Sequence, residues 1–163
     1  MKAYIFVFTG KIKTGKTTSL EKWVLRKSAS GILQPVIKGN RFFFDINSGE
    51  KFLMNATPED KNPIILGDYR FSNEAFAWAK EKLSLAQKYK SDWIIVDEYG
   101  KLEEKSFGLE PKVSELIMDY KERRDFNLLI VVRDYLLENF LKKQKLSFDE
   151  IFVINSPEKL FYI

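Results

Sequence analysis

Short, uninterrupted apolar runs alternate with longer amphipathic stretches along the chain. Ile5 and Val7 with their aromatic neighbours, Asp92–Asp97 around Trp93–Val96, Asn127–Val132 and Phe148–Ile154 have the length of strands. Their apolar runs lack polar alternation, as expected of strands buried on both faces. Between them, apolar residues recur at helical spacing. One helix is predicted from Lys16 to about Ala29, stopping near Gly31, with Leu20, Trp23, Val24 and Leu25 on its apolar side. A second follows Ser72 as N-cap, with Glu74 in its first turn, and runs through Ala75, Phe76, Ala79, Leu83 and Ala86 to about Tyr89. Pro111 suits the first turn of a third, through Val113, Leu116, Ile117 and Tyr120, and a fourth spans Tyr135 to about Lys143. Apolar strands alternating with helices predict an α/β fold in three layers, with a mainly parallel central sheet covered on both faces.

One region breaks the alternation. Residues 32–38, 40–46 and 51–55 are short apolar and aromatic segments separated by Lys38-Gly39 and Asn47-Ser48-Gly49. They predict an inserted antiparallel hairpin or meander over about 32–55, with Gly49 supplying a positive φ in its second turn. A polar loop over Ala56–Pro63 and a brief strand, Ile64–Leu66, ending at Gly67, complete the insertion side. Neither a linker nor an internal repeat divides residues 1–163, which predicts one domain.

In sheets of this kind chemistry gathers just beyond the carboxyl ends of the strands. Beyond the first strand stands Gly10-Lys11-Ile12-Lys13-Thr14-Gly15-Lys16-Thr17, followed by Thr18 and a helix. The spacing G-x-x-x-x-G-K-[ST] between strand and helix is that of a phosphate loop. Gly10 permits a sharp exit from the strand and Gly15 a close backbone approach, so that amides from Gly10 to Thr18 can surround phosphate oxygens at the positive end of the helix dipole. Lys16 is predicted to reach the β- and γ-phosphates, and the Thr17 hydroxyl to ligate Mg²⁺.

Asp97 ends the run IIVD and is the expected partner of that Mg²⁺, directly or through water. Glu98 follows at once. If the chain turns after Asp97, as Gly100 permits, Glu98 can act as general base on a water in line with the γ-phosphate. Arg133 ends the next strand and has two readings: it stabilises charge on the γ-phosphate, or it forms a salt bridge to Asp134, Asp97 or a loop acid. Lys101, Glu103 and Glu104 lie in the loop that follows and read first as solvated charges. No guanine-reading N-K-x-D string follows a strand; Tyr69-Arg70-Phe71 and Phe42-Phe43-Phe44 could stack on a base, although core or hairpin packing explains them as well.

Composition narrows the chemistry further. The chain has neither cysteine nor histidine, so disulfides, thiolate or imidazole metal sites and an imidazole base are excluded, and acid–base work falls to Asp, Glu, Lys or Tyr. The net charge of +4 is spread along the chain rather than gathered in a stripe, which argues against a nucleic-acid partner. The N-terminal run is too short for a signal peptide and no run approaches a membrane span, so a soluble, cytoplasmic protein without a membrane partner is expected.

With these pieces in place, the chain resembles the THEP1-type nucleoside-triphosphatases, a family of small P-loop proteins. The resemblance rests on Gly10–Thr18, on Gly31–Pro35, on Asp97–Glu103 with Ser106-Phe107 after it, and on Val132-Arg133. It implies a RecA-like sheet in a three-layer P-loop NTPase fold. It also implies slow, Mg²⁺-dependent hydrolysis of several nucleoside triphosphates, ATP or GTP among them, to the diphosphate and phosphate. The family's roles fall on Lys16, Thr17, Asp97, Glu98 and Arg133. Lys13 stands where such loops usually carry a glycine or another small residue. Two other functions fit the same residues: a small-molecule or nucleotide kinase with the insertion or the 56–71 segment as a lid, and a nucleotide-dependent switch.

Overall fold

The computed structural model describes residues 2–11 and 14–163. Its central sheet has a parallel core, with strands in the order β10 (Ile151–Ile154), β1 (Ile5–Phe8), β9 (Asn127–Val132), β8 (Trp93–Tyr99) and β2 (Ala29–Leu33). Beyond β2 the sheet turns antiparallel through β4 (Asn40–Asp45), which also pairs with β3 (Val36–Ile37) and β5 (Lys51–Leu53). Because β9 lies between β1 and β8, the ends of these three strands bring residues 10, 97, 98 and 133 to one edge of the molecule.

Alternation along each strand builds two cores. Ile5, Val7, Ile94, Val96, Leu128, Ile130 and Val132 face a layer that includes α2 (Asn73–Ala86), α4 (Lys112–Arg123) and α5 (Leu137–Gln144). Phe6, Phe8, Ile95, Leu129 and Val131 face α1 (Lys16–Val24) and α6 (Pro157–Leu160). Trp23 of α1 meets Trp93 of β8 edge to face, with centroids 4.8 Å apart. Both faces of β1, β8 and β9 are therefore covered, which is why their apolar runs carry no polar alternation, whereas Phe152 and Val153 of the edge strand β10 are exposed. Among the described residues no helix is long and apolar enough to cross a membrane.

The α2 helix starts as its sequence predicts: Ser72 Oγ accepts from Ala75 N at 3.3 Å, and Ala75, Phe76, Ala79, Leu83 and Ala86 are buried. In α4 the predicted face of Val113, Leu116, Ile117 and Tyr120 is buried as well. Gly49 turns between β4 and β5 with φ 75°. The predicted brief strand β6 (Ile64–Leu66) has an antiparallel partner, β7 (Tyr69–Phe71), that the sequence did not announce.

Other boundaries differ from expectation. The first helix ends at Val24 rather than near Ala29, and Ala29–Leu33 is a strand of the main sheet, parallel to β8 from Ala29↔Trp93 to Ile32↔Val96. Only Ile32 and Leu33 pair antiparallel with β4, so the antiparallel segment extends the parallel sheet rather than standing apart from it. Strand β8 continues past Asp97-Glu98 to Tyr99, with a register shift that pairs Asp97 with Val131 and Tyr99 with Val132 and leaves Glu98 as the extra, bulged residue. The segment read as a loop after it contains a short helix, α3 (Lys101–Glu104).

Gly31 explains the first difference. It is no helix stop; it lies in β2 with φ 117°, and a Cβ there would stand 2.1 Å from Ile95 O and 2.7 Å from Ile95 N. Those neighbours are backbone of the adjacent strand and cannot give way without breaking the ladder. Gly31→Ala is expected to cost about 3 kcal/mol, lowering the melting temperature by about 10 °C in a thermal melt followed by circular dichroism. An unchanged melting temperature would contradict this packing.

Candidate active site

The chain leaves β1 through Thr9, whose N–H donates to Ile154 O at 2.8 Å, and Gly10 then adopts φ 151°. Gly15 closes the loop in the left-handed region, φ 79° and ψ 23°, directly before α1. Among the described residues no side chain caps that helix, which leaves its first-turn amides to face the loop, where an anion can meet them. The Lys16 ammonium folds back into the loop, donating to Lys11 O at 2.8 Å and Gly10 O at 3.1 Å, and it lies 3.4 Å from Thr14 Oγ1. Thr14 Oγ1 itself donates to Lys11 O at 2.9 Å. Thr18, next on α1, is exposed. Ile12 and Lys13, assigned to nucleotide binding from the sequence, lie outside the described residues.

Thr17 ties this loop to the tip of β8. Its Oγ1 donates to Asp97 Oδ2 at 2.8 Å, and the Gln34 amide after β2 donates to the same oxygen at 3.0 Å. Asp97 is 1% exposed. Burial, helped by the neighbouring Glu98 carboxylate, pushes its pKa up to about 6, against the pull of the Gln34 and Thr17 hydrogen bonds and of Arg41. A hydroxyl and a carboxylate are hard oxygen donors that suit Mg²⁺, an ion that usually completes its shell with phosphate oxygens and water. The described residues contain no group of three or more His, Cys, Asp or Glu side chains that could hold a metal; the oxygen donors placed together here that could contribute to such a shell are Thr17 Oγ1 and the Asp97 carboxylate.

The shift has a direction that can be read in stability. Folded Asp97 holds its proton up to about pH 6, against an ordinary value of 3.8, so it contributes stability that is fully present below pH 4 and lost as pH rises to about 6. The gap corresponds to about 3 kcal/mol of cost in the ionised state. In EDTA and without nucleotide, Asp97→Asn is expected to raise unfolding free energy by about 2–3 kcal/mol at pH 8 and to change it little at pH 4, measured by urea titration. A loss of stability at pH 8 would contradict the assignment.

Glu98 and Arg133 form one unit. Arg133 Nε donates to Glu98 Oε1 at 2.5 Å, and both side chains are only partly exposed. The Arg133 salt bridge thus goes to Glu98 and not to Asp134, Asp97 or an acid of the following loop. The pairing orients the carboxylate at the mouth of the sheet edge while leaving Oε2 without a side-chain or backbone partner among the described residues. Asp97 and Glu98 therefore divide, one buried beside Thr17 and one turned toward Arg133, through the bulge in β8 rather than through a turn at Gly100.

Sequence reading missed Glu103. Taken as a solvated charge, it is 4% exposed, and its Oε2 accepts from Gly100 N at 2.9 Å while Oε1 accepts from Leu109 N at 3.0 Å. Burial raises its pKa, and the two amides oppose the rise. The carboxylate pins the segment after Glu98 across a gap closed by Gly108, where a Cβ would stand 2.2 Å from Glu103 Oε1. Lys143 Nζ adds donations to Glu103 O at 2.6 Å and Glu104 O at 3.1 Å. The only hint of this role in the sequence is that Glu103 ends the Asp97–Glu103 stretch. Of the aromatic segments, Phe43 is core and packs edge to face on Phe76, whereas Tyr69 is 65% exposed.

A family model described as NTPase matches residues 5–156. Among solved structures, the chain is similar to THEP1 from the hyperthermophile Aquifex aeolicus, with 21% identity over 95% of this chain and 91% of that one and a TM-score of 0.70. It is also similar to a human cancer-related nucleoside triphosphatase, with 16% identity over 98% and 94% of the two chains and a TM-score of 0.67. No curated protein matches it in sequence. The two structures share its fold of a mainly parallel sheet between helical layers.

Proposed function

We propose that this chain, which belongs to the NTPase family and is a hydrolase acting on nucleoside triphosphates, uses Glu98 as the base for the attacking water. Lys16 and the loop amides hold the β- and γ-phosphates in this reading. The observation that carries it is the 2.8 Å hydrogen bond from Thr17 to Asp97, which joins the phosphate loop to the strand end bearing Glu98. Mg²⁺, held by Thr17 and Asp97, would supply charge neutralisation at the β- and γ-oxygens.

The chain's own residues do the rest. Incoming phosphate oxygens take the Lys16 ammonium from the Gly10 and Lys11 carbonyls, and the free amides at the start of α1 receive the remaining charge. Arg133 holds Glu98 through Oε1, so Oε2 faces the water and accepts its proton as the oxygen attacks the γ-phosphorus. The guanidinium, beside the same centre, also stabilises negative charge as it builds on the γ-oxygens. Base recognition is broad in this account, because phosphate contacts dominate and no guanine-reading string follows a strand.

The test is phosphate release from ATP, GTP, CTP and UTP without any acceptor, in Mg²⁺ and in EDTA. All four are expected to be hydrolysed at rates within about ten-fold of one another, the spread that contacts to the base alone would give, and only with Mg²⁺. Full activity in EDTA, or hydrolysis confined to one base, would contradict the account.

A further inference from the structure

In phosphoryl transfer the attacking and leaving oxygens lie roughly in line with the transferred phosphorus. On the reading above, the diphosphate leaves on the side of the phosphate loop, and the attacking oxygen comes from the side of Glu98. On that second side the molecule has a cavity of about 650 Å³, bounded by the β3–β4 and β6–β7 hairpins and the segment after β8. Glu98 and Arg133 line its wall, and none of the described phosphate-loop residues does. One water occupies about 30 Å³, whereas cavities of about 300–1,000 Å³ hold whole small ligands. The space is far larger than hydrolysis requires.

Its lining is specific in charge and shape. Arg41 and Lys101 both line it, and neither makes an ion pair with any described residue. Of the carboxylates on the wall, Glu98 is paired with Arg133 and Glu103 is buried against two amides, which leaves Asp68 alone against two cations. Tyr69 also lines the cavity and stacks on Phe71 with rings 4° from parallel and centroids 5.9 Å apart, and the Tyr69 ring is largely exposed. Two cations without an ion-pair partner among the described residues suit a phosphate, and an exposed, supported aromatic ring suits a planar one.

We propose that this cavity is a second ligand site, on the water side of Glu98, for a planar-ringed phosphate monoester of mononucleotide size. The inference rests on the hydrolase reading for its orientation. Arg41 and Lys101 take the phosphate, Tyr69 stacks on the ring, and the bound ligand covers Glu98 and so keeps water from it.

The experiment fills the phosphate loop with a non-hydrolysable ATP analogue and Mg²⁺, then titrates AMP, GMP, CMP and UMP by calorimetry into the wild type, Arg41→Ala and Tyr69→Ala. At least one mononucleotide is expected to bind the analogue-filled wild type one to one. Its affinity should fall at least about ten-fold in each variant, the loss of one charge-assisted contact or one stacked ring. Unchanged affinity for the ATP analogue establishes that each variant is folded. The same mononucleotide should inhibit phosphate release non-competitively with ATP. The proposal is overturned if no mononucleotide binds the filled protein, if binding displaces the analogue, or if either variant binds as the wild type does. Absence of phosphate release from every triphosphate would instead sink the hydrolase reading, and the calorimetry still decides the cavity.

Discussion

Lys16→Ala is expected to abolish measurable phosphate release, lowering kcat/KM by at least about 10³-fold, because in the proposed mechanism it removes a full charge from beside the transferred group. The ammonium stands within 3.1 Å of both Gly10 O and Lys11 O, and its partners among the described residues are neutral oxygens. A phosphate is a far stronger partner for a cation, so the side chain exchanges carbonyls for phosphate oxygens without moving far. Nothing in the core depends on it: the carbonyls it releases lie at a partly exposed loop that water reaches. The variant should therefore melt like the wild type while triphosphate affinity falls at least about 100-fold in a fluorescent-nucleotide titration. A kcat/KM within ten-fold of wild type would remove Lys16 from the site.

Glu98→Gln should separate binding from chemistry. Glutamine keeps the size of the side chain and an oxygen for Arg133 Nε, so the 2.5 Å contact has a neutral counterpart and the strand end is undisturbed. What it loses is the capacity to take a proton, an effect of about 10²–10⁴-fold in positioned general-base catalysis. The expected outcome in steady-state kinetics is a fall of that size in kcat with KM nearly unchanged. A matching rise in KM with kcat preserved would make Glu98 a binding group instead.

The placement of Lys16 and Glu98 at one sheet edge was legible because its signals are local. The phosphate loop needs two glycines, a lysine and a threonine at fixed spacing between an apolar run and a helix, and the chemical edge of β8 is marked by the change from IIV to Asp97-Glu98. Helix α2 was legible from period and cap, and α4 from its period, for the same reason. Strand β2 was not. Its Gly31 carries the usual mark of a helix end, and only the Ile95 backbone beside it, 64 residues away in sequence, reveals why a side chain is forbidden there. Arg133 had an acid next to it in Asp134, yet it pairs with Glu98, brought close by the β8–β9 pairing and the bulge. Glu103 sits among charged neighbours and reads as solvated; its two amide partners belong to segments whose paths are set by the surrounding packing. The cavity beside Glu98 is less legible still, since Arg41, Tyr69 and Lys101 come from three separate elements.

The central claim is that water, positioned by Glu98, attacks the γ-phosphorus of a triphosphate held by the phosphate loop. Hydrolysis of ATP in ¹⁸O-labelled water, with both products examined by mass spectrometry, tests it most directly. The account predicts one labelled oxygen in each phosphate released and none in the diphosphate, with the labelled product lost in Glu98→Gln. Label in the diphosphate, or undiminished labelled phosphate from Glu98→Gln, would contradict it.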